Sequence, residues 1–321
     1  MPTRALVTGI TGQDGSYLAQ RLVAEGAQVT GTVRPGGGTL HADLAAAGDR
    51  VRLVHADLLD PASLRAAVHE AQPQEIYHLA APTFVPDSWE DPARTLAAVA
   101  GAAGTLLAAA RELDPAPRIY VACSSEVFGV AGVSPQHEGS PMRPRSPYGV
   151  AKLAALGIAR VMRERHGLHV STGITFNHES PRRPERFLPR KVTRAAAAIA
   201  LGEQEELVLG DLDAVRDWCD ARDVVRGAVL ALRHDEPGDY VFAGGVGRTV
   251  GDLVSTAFAH AGVDPAGRVR SDPALTRPPE PTPPVGDPAR AREVLGWRPS
   301  IPFERTIGEM VDADLAELGG G

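Results

Sequence analysis

The stretch Ala5-Leu-Val-Thr-Gly-Ile-Thr-Gly-Gln-Asp-Gly-Ser-Tyr-Leu18 joins a short apolar strand, a glycine-rich turn and the start of a helix. In such a unit the first glycine permits a tight turn and the second lets backbone amides approach a diphosphate. The third lets the helix and the strand pack closely. The helix N-terminus then faces the phosphate charge. This stretch therefore predicts a dinucleotide-binding fold.

The predicted dinucleotide site extends from this turn to the ends of the neighbouring strands. After the second predicted strand no acid occurs between Gln28 and Ala42, and Arg34 stands where arginine suits the extra phosphate of NADP. We therefore expect NADP, with NAD as the alternative. The predicted cofactor-binding residues are Gly9, Thr11, Gly12, Gln13, Asp14, Gly15, Arg34, Asp57, Leu58, Leu79, Tyr148 and Lys152.

Strand and helix patterns alternate through the first half, which predicts a parallel sheet of βαβ units. The predicted strands are 5–8, 28–33, 51–54, 75–79, 118–123 and 168–175, and the predicted helices there are 15–25, 91–113 and 147–166. Beyond residue 176 the pattern loosens into helices at 187–201, 220–233, 250–261, 288–295 and 303–318. The expected fold is α/β, a Rossmann-type doubly wound parallel sheet with a smaller C-terminal substrate-binding domain. Residues 1–175, with parts of 206–245, would bind NADP, and 176–321 would mainly bind the substrate.

The composition is that of a globular protein, with 43% hydrophobic and 23% charged residues among 321. A net charge of −7 argues against a nucleic-acid partner. Apolar runs are broken within a dozen residues, and no signal peptide precedes the first strand, so we expect no membrane span. Two cysteines, Cys123 and Cys219, cannot form a disulfide framework, which favours a reducing cytoplasm.

Tyr148 and Lys152 stand four residues apart, on one face of a predicted helix. The ammonium favours the phenolate and should lower the pKa of the phenol, so that tyrosine serves as a base near neutral pH. Ser124 follows the fifth predicted strand and completes a hydroxyl–phenol–ammonium set. With the glycine turn, these residues make the sequence resemble an extended short-chain dehydrogenase/reductase.

Glu126 adds a carboxylate beside Ser124. Simple hydride transfer needs no such group, whereas an elimination needs a base for a carbon acid and an acid for a leaving hydroxyl. The alternative is that Glu126 only caps the following turn. Ser124, Glu126, Tyr148 and Lys152 are the predicted catalytic residues.

A basic cluster in the second half suggests another anionic ligand, for which a diphosphate fits. It comprises Arg182, Arg183, Arg190, Lys191, Arg194, Arg216 and Arg277. Solvated surface charges are the alternative. His166 and His169 have metal-like spacing but no nearby third ligand, so no metal site is predicted.

Several motifs together resemble the GDP-mannose 4,6-dehydratases over nearly the whole chain. Besides the glycine turn they are Ser124-Ser-Glu126, Pro144-Arg-Ser-Pro-Tyr148, Phe176-Asn-His-Glu-Ser-Pro-Arg-Arg183, Arg216-Asp-Trp218, Arg277-Pro-Pro-Glu280 and 286–297. The resemblance implies C4 oxidation aided by Tyr148, water loss across C5 and C6 aided by Glu126, and hydride return to C6. It implies that Asn177, Arg183, Lys191, Arg216, Arg277 and Glu280 hold the GDP moiety. Ser125 stands where related dTDP-glucose dehydratases have an aspartate, and a homodimer or homotetramer is expected.

Three other functions remain open from the sequence. One is a reductase acting on a GDP-4-keto-6-deoxy-sugar, which would use Tyr148 but not Glu126. Another is a dehydratase for a variant sugar such as a GDP-heptose, since the loop after Arg34 is shorter than is usual in the family. The third is a cofactor-binding regulator without catalysis, against which the intact Ser124, Tyr148 and Lys152 argue.

Overall fold

A computed structural model describes residues 2–37, 39–275 and 282–320 of the chain. These residues form twelve strands: β1 (Arg4–Thr8), β2 (Gln28–Val33), β3 (Val51–His55), β4 (Glu75–His78), β5 (Arg118–Ser124), β6 (Val170–Thr175), β7 (Asn177–Glu179), β8 (Leu207–Leu209), β9 (Val215–Asp220), β10 (Asp239–Phe242), β11 (Gly247–Thr249) and β12 (Val269–Ser271).

The same residues form twelve α-helices: α1 (Gln13–Ala24), α2 (Ala42–Ala45), α3 (Pro61–Ala71), α4 (Asp87–Glu90), α5 (Pro92–Leu96), α6 (Ala102–Ala110), α7 (Pro147–His166), α8 (Leu188–Ala200), α9 (Ala221–Arg233), α10 (Val250–His260), α11 (Ala289–Leu295) and α12 (Phe303–Gly319). A π-helical segment, Ala97–Gly101, joins α5 to α6.

Seven parallel strands build the main sheet, in the order β10-β6-β5-β4-β1-β2-β3. Strand order reverses between β1 and β4, because the chain moves outward from β1 to β3 and then returns to the other side. In open α/β sheets, ligands bind outside the carboxyl ends of the strands at such a reversal. The topology therefore places the expected site at the ends of β1, β4 and β5.

Both faces of the main sheet are covered by helices. In β1 the side chains alternate: Ala5 and Val7 pack in the core that includes α1 and α9, and Leu6 packs in the core beneath α3, α6 and α7. All three are at most 1% exposed. A strand buried on both faces needs a continuous apolar run, which residues 5–7 supply.

A second core lies in the C-terminal half, where α8, α10 and α12 pack together. Phe258, Ile307 and Met310 are fully buried there, and Trp218 of β9 stacks on Phe303 with ring centroids 5.7 Å apart. The strands β11, β9 and β7 form a small sheet, and β12 pairs with β8. This half supplies the smaller unit beside the main sheet.

The predicted fold class is confirmed. The six strands of the first half and the helices at 187–201, 220–233 and 250–261 fall within a few residues of the observed elements. Helix α3 and the short strands β7 to β12 were not predicted. Within the stretch 206–245, α9 packs against α1 and β10 pairs with β6, so both belong to the main sheet layer.

One helix meets the length and hydropathy criterion for a membrane span. Pro92–Ala110 forms a 19-residue helix, within the predicted range 91–113, that is long and apolar enough to cross a membrane by length and composition alone. The helix packs against α3 and α7, and 56% of its most apolar window is buried inside the structure. A buried core helix meets the same criterion.

Candidate active site

The glycine-rich turn lies between β1 and α1, next to the end of β4. Gly9 has a φ of +74°, and a Cβ there would lie 3.0 Å from Ala80 Cα. A Cβ on Gly15 would overlap the Gly9 carbonyl oxygen, so only glycine lets α1 pack on the turn. Gly12 precedes α1, and no described side chain caps that helix. Its N-terminus therefore offers backbone N–H groups to an anion, an arrangement that fits a diphosphate.

The other predicted cofactor-binding residues follow strands at the same edge of the sheet. Arg34 is exposed directly after β2, at the start of a turn closed by the Gly37 N–H on the Arg34 carbonyl (2.8 Å). Asp57 and Leu58 follow β3, and the Asp57 carboxylate accepts from the Leu59 N–H (2.8 Å). Leu79 follows β4 and donates its N–H to Thr8 Oγ1 (3.1 Å).

Ser124 ends β5 and connects the backbone of Glu126 to the side chain of Tyr148. Its hydroxyl accepts a hydrogen bond from the Glu126 N–H (3.3 Å) and is hydrogen-bonded to the Tyr148 hydroxyl. A short 3₁₀ turn, Ser125–Val127, then carries Ser125 and Glu126 beside the phenol. The fold thus brings the predicted base, its hydroxyl partner and the extra carboxylate together.

Lys152 is buried one helical turn after Tyr148. Its Nζ donates to the Ala122 carbonyl (2.8 Å) and lies 5.7 Å from the centroid of the Tyr148 ring. Burial lowers the pKa of Lys152. The β5 backbone therefore fixes the ammonium beside the phenol ring.

The expected lowering of the Tyr148 pKa does not hold in this structure. Burial raises the pKa of Tyr148 well above its ordinary value, and the negative charge of Glu126 adds to the rise. The hydrogen bond with Ser124 and the charge of Arg183 act in the opposite direction but are smaller. Burial of the phenol depends on tertiary packing, which the local sequence does not encode, and desolvation opposes ionisation of the phenol.

Ser146 caps the helix that carries Tyr148 and also contacts Glu126. Its hydroxyl accepts from the Gly149 N–H (3.0 Å) and donates to Glu126 Oε2 (3.2 Å). Proline at the first helical position and Gly167 beyond the last turn give α7 the expected start and stop signals. A Cβ on Gly149 would lie 2.7 Å from the Glu126 carbonyl oxygen, so the first turn of α7 rests directly on Glu126.

The stretch 176–183 contacts the start of α1. His178 Nε2 lies 2.9 Å from Asp14 Oδ2. Gln13 donates to the His178 carbonyl (3.0 Å) and accepts from Ser180 Oγ (2.8 Å). Arg182 stacks on a neighbouring aromatic ring of α1, 3.9 Å from its centroid. The second half of the chain thus contacts the end of the glycine-rich turn directly.

The predicted substrate-binding residues lie on several elements. Asn177 on β7 and Arg216 on β9 belong to the same small sheet. Arg183 pairs with the buried Glu179 (3.1 Å), and Lys191 on α8 donates to the Val208 carbonyl (2.9 Å). Arg277 and Glu280 lie outside the described residues. Ser125 stands between Ser124 and Glu126.

A family model described as GDP-mannose 4,6 dehydratase matches residues 6–310. The chain belongs to the GDP-mannose 4,6-dehydratase family. The GDP-mannose 4,6-dehydratase of Sinorhizobium fredii (strain HH103) is 43% identical, across 98% of this chain and 97% of the relative. The GDP-mannose 4,6 dehydratase 2 of Arabidopsis thaliana is 41% identical, across 97% of this chain and 86% of the relative.

Two solved structures share the fold. DesIV, the dTDP-glucose 4,6-dehydratase of Streptomyces venezuelae with NAD and TYD bound, is 25% identical with a TM-score of 0.85, over 99% of this chain and 98% of that one. RMD from Pseudomonas aeruginosa, complexed with NADPH, is 26% identical with a TM-score of 0.82, over 98% of this chain and 100% of that one.

Two contacts of this dehydratase-family site were not predicted: Ser146 with Glu126, and His178 with Asp14. A signal for the first was present, because Ser146-Pro147 before a helical pattern indicates an N-cap and a first helical residue. Nothing local in the sequence indicates the second, because 164 residues separate its partners. Among the described residues no group of three or more His, Cys, Asp and Glu side chains is arranged to hold a metal ion.

Proposed function

We propose that the protein is a hydro-lyase that converts GDP-mannose into GDP-4-keto-6-deoxy-mannose and water. One observation carries the proposal: the Glu126 carboxylate lies beside the Ser124–Tyr148 pair, where hydride transfer alone needs no second acid–base group. The S. fredii relative, 43% identical across nearly the whole chain, bears the name of this activity.

We propose NADP as the cofactor, held by the glycine turn at the uncapped N-terminus of α1. When bound, its nicotinamide accepts hydride from C4 of the sugar and later returns it at C6. Arg34, exposed at the end of β2, is the group for the additional phosphate of NADP. Structures similar to this one contain NADPH or NAD, which supports a nicotinamide cofactor.

In the first half of the proposed reaction, Tyr148 takes a proton from the sugar. The phenolate oxygen removes the proton of the 4-hydroxyl while the C4–H bond breaks. Ser124 hydrogen-bonds to the phenol, and the Lys152 ammonium supplies a fixed positive charge close to it. Because burial raises the pKa of Tyr148, these two contacts are needed to make its ionised form accessible.

In the second half Glu126 acts on C5 and C6. The new 4-ketone acidifies the C5 proton, which the carboxylate removes. The C6 hydroxyl then leaves as water, with Glu126 as the proton source. Return of the hydride to C6 and addition of a proton at C5, which balances the proton that Tyr148 took from the 4-hydroxyl, complete the product, so that the net change is the loss of one water.

The GDP moiety is proposed to lie against the basic residues of the second half. Asn177 and Arg216 share one small sheet, and Arg183 is close enough to the catalytic tyrosine to act on its pKa. The cations match the diphosphate in a chain whose net charge is −7. The further proposed contacts are Ser125, Lys191, Arg277 and Glu280.

The direct test is incubation with GDP-mannose and catalytic NADP, followed by mass spectrometry of the nucleotide sugar. Loss of one water without net cofactor reduction is expected. Glu126→Gln should lower this rate by about a hundredfold or more, because a general base is removed. Failure to form the 4-keto product with saturating cofactor, or full activity of Glu126→Gln, contradicts the proposal.

We also propose a homo-oligomer, either a dimer or a tetramer. Val150 and Val161 are exposed eleven residues apart on one face of α7, and Leu96 is exposed on α5, which packs against α7. Exposed apolar groups on packed helices are typical of interfaces. Light scattering of the purified protein tests this, and a monomer at all concentrations contradicts it.

A further inference from the structure

We propose that Ser146 is a positioning residue for the Glu126 carboxylate. Through this contact α7 would fix Glu126 relative to Tyr148, so that the groups of the two chemical steps keep a set distance from each other. This inference rests on the proposed function, in which Glu126 acts on C5 and C6. Ser146 does not touch the reacting atoms in this scheme; it acts through Glu126.

The hydroxyl of Ser146 can accept one hydrogen bond and donate another at the same time. A hydroxyl has one donor hydrogen and two acceptor lone pairs. One lone pair accepts the Gly149 N–H (3.0 Å), which fixes the side chain at the N-cap of α7. The hydrogen remains for Glu126 Oε2 (3.2 Å). The cap therefore orients the donor, and the two bonds do not compete.

The position of Ser146 in the chain relates the Glu126 carboxylate to Tyr148. Tyr148 follows two residues later on the same helix, so a side chain held by Ser146 is placed relative to the phenol. Glu126 is held from its other end as well, because its N–H donates to Ser124 Oγ (3.3 Å), and Ser124 is bonded to Tyr148. Two hydroxyls thus connect Glu126 to the helix of the catalytic tyrosine.

Backbone packing strengthens this link. The Glu126 carbonyl oxygen would lie 2.7 Å from a Cβ on Gly149, so the turn that carries Glu126 rests directly on the first turn of α7. Ser146 is buried, with only 5% of its surface exposed to solvent. A buried hydroxyl needs hydrogen-bond partners, and the Glu126 carboxylate accepts the hydrogen that Ser146 donates.

A purely structural role for Ser146, that of capping α7, makes a different prediction from a positioning role. Glycine is also accepted at N-caps and costs little helix stability there, but it cannot donate a side-chain hydrogen bond. Asparagine caps well and donates through its amide. Ser146→Gly and Ser146→Asn therefore separate the two roles, and Thr249→Gly, which removes the cap of α10, is the matched control for cap loss alone.

The experiment compares these variants of the holoenzyme with GDP-mannose deuterated at C5 or at C4. For Ser146→Gly we expect kcat to fall roughly ten- to hundredfold, the range for a lost hydrogen bond to a charged group. The C5 isotope effect on kcat should rise and the C4 effect should fall, because proton removal at C5 becomes slower. The acidic limb of the pH profile should move to higher pH, because a donated hydrogen bond favours the charged carboxylate.

Ser146→Asn should recover most of the rate and return both isotope effects toward those of the unmodified protein. Thr249→Gly should change neither isotope effect, and because glycine costs little at an N-cap its melting temperature should fall only slightly. If Ser146→Gly does not fold, Ser146→Asp takes its place, because aspartate caps equally well and as a carboxylate has no hydrogen to donate.

Three results would overturn the inference: unchanged isotope effects in Ser146→Gly, an equal loss in Ser146→Asn, or a change in melting temperature alone. Glu126→Gln distinguishes this failure from failure of the proposed function. Full activity of Glu126→Gln would contradict the proposed function itself. An inactive Glu126→Gln together with an unaffected Ser146→Gly would contradict only the positioning role of Ser146.

Discussion

His178 Nε2 lies 2.9 Å from Asp14 Oδ2, and this contact joins the second half of the chain to the first turn of α1. Burial alone would lower the pKa of His178, but the charge of Asp14 and their hydrogen bond raise it above its usual value. Burial alone would raise the pKa of Asp14, whereas the charge of His178 and the hydrogen bond lower it. The pair therefore favours the ionised form of both partners.

This pair should stabilise the fold only within a limited pH range. The raised pKa of His178 contributes stability that is full below its unfolded pKa, about 6.5, and is lost as pH rises through the folded value. The lowered pKa of Asp14 contributes stability that is lost as pH falls through its folded value. We expect the coupling between the two residues to be largest from about pH 4 to 6.5.

A double-mutant cycle with Asp14→Asn and His178→Asn measures that coupling. The expected coupling free energy is about 1–3 kcal/mol at roughly pH 6, and it should shrink by about pH 9. Urea unfolding of the four proteins at both pH values supplies the data. A coupling that does not change with pH would show that the pair is a neutral hydrogen bond.

Ser124→Ala should move the rising limb of the pH–activity profile, which depends on ionisation of Tyr148. Burial raises the pKa of Tyr148, and the hydrogen bond with Ser124 is the main opposing contact. Its loss should therefore raise the pKa of Tyr148 further. Because the base must be ionised, kcat/KM near neutral pH should fall and the rising limb should shift to higher pH.

The measurement is kcat/KM for GDP-mannose against pH, with Ser124→Thr as the control. Threonine keeps the hydroxyl, so its profile should stay close to that of the unmodified protein. A parallel loss at every pH in Ser124→Ala, without displacement of the limb, would mean that Ser124 orients the sugar instead of tuning the tyrosine.

Gly15→Ala should disrupt the cofactor turn through packing alone. The new methyl group would meet the carbonyl of Gly9 and the Cα of Ile10, both of which are backbone atoms that cannot turn away. We expect a loss of stability of about 1–3 kcal/mol and at least about tenfold weaker NADPH binding. Gly251→Ala is the matched control, since it also lies in the first turn of a helix and its nearest neighbours would be at an ordinary 3.5 Å.

Thermal unfolding and NADPH fluorescence titration test this prediction. Gly251→Ala should keep its affinity and remain within about 1 kcal/mol of the unmodified protein. NADPH binding by Gly15→Ala at the original affinity would show that the turn adapts, and the geometric reason given for this glycine would then be wrong.

The sequence indicated the main sheet because its strands are apolar runs that end in distinctive turns. It did not indicate the short strands of the second half, whose three to six residues pair with distant partners and carry no period of their own. In β9, Arg216 and Asp217 gave no strand signal, yet they pair with β11. Such strands are defined by tertiary contact, which local patterns do not encode.

The proximity of the four proposed catalytic residues was predictable because it depends on local spacing. Tyr148 and Lys152 lie four residues apart in one helix, and Ser124 and Glu126 lie two residues apart at the end of a strand. Each pair is therefore close because its members are close in the chain. The pKa of Tyr148 was not predictable, because burial outweighs the charges and depends on everything that packs around the phenol. The role of Arg34 in cofactor choice likewise remains a prediction.

Arg34→Ala should change the preference between NADP and NAD. Arg34 is exposed immediately after β2, at the sheet edge where the glycine turn lies, and the guanidinium suits the additional phosphate. Loss of one charge-assisted contact is worth about 1.5–3 kcal/mol, so the dissociation constant for NADP should rise roughly ten- to hundredfold. NAD lacks that phosphate, so its affinity should stay within about twofold, since exposed charges contribute little on their own.

Titration of both dinucleotides against Arg34→Ala and Arg52→Ala tests this preference. Arg52 is an exposed arginine near the start of β3, away from the carboxyl ends of the strands, and it pairs with Glu70 (2.6 Å), so its removal controls for the loss of one positive charge. It should weaken neither dinucleotide. Equal weakening of NADP and NAD in Arg34→Ala would mean that the arginine supports the turn at 34–37, and the phosphate contact would then have to come from another residue. Unchanged binding of both would make NAD the better choice of cofactor, because no other arginine or lysine stands between the end of β2 and Ala42.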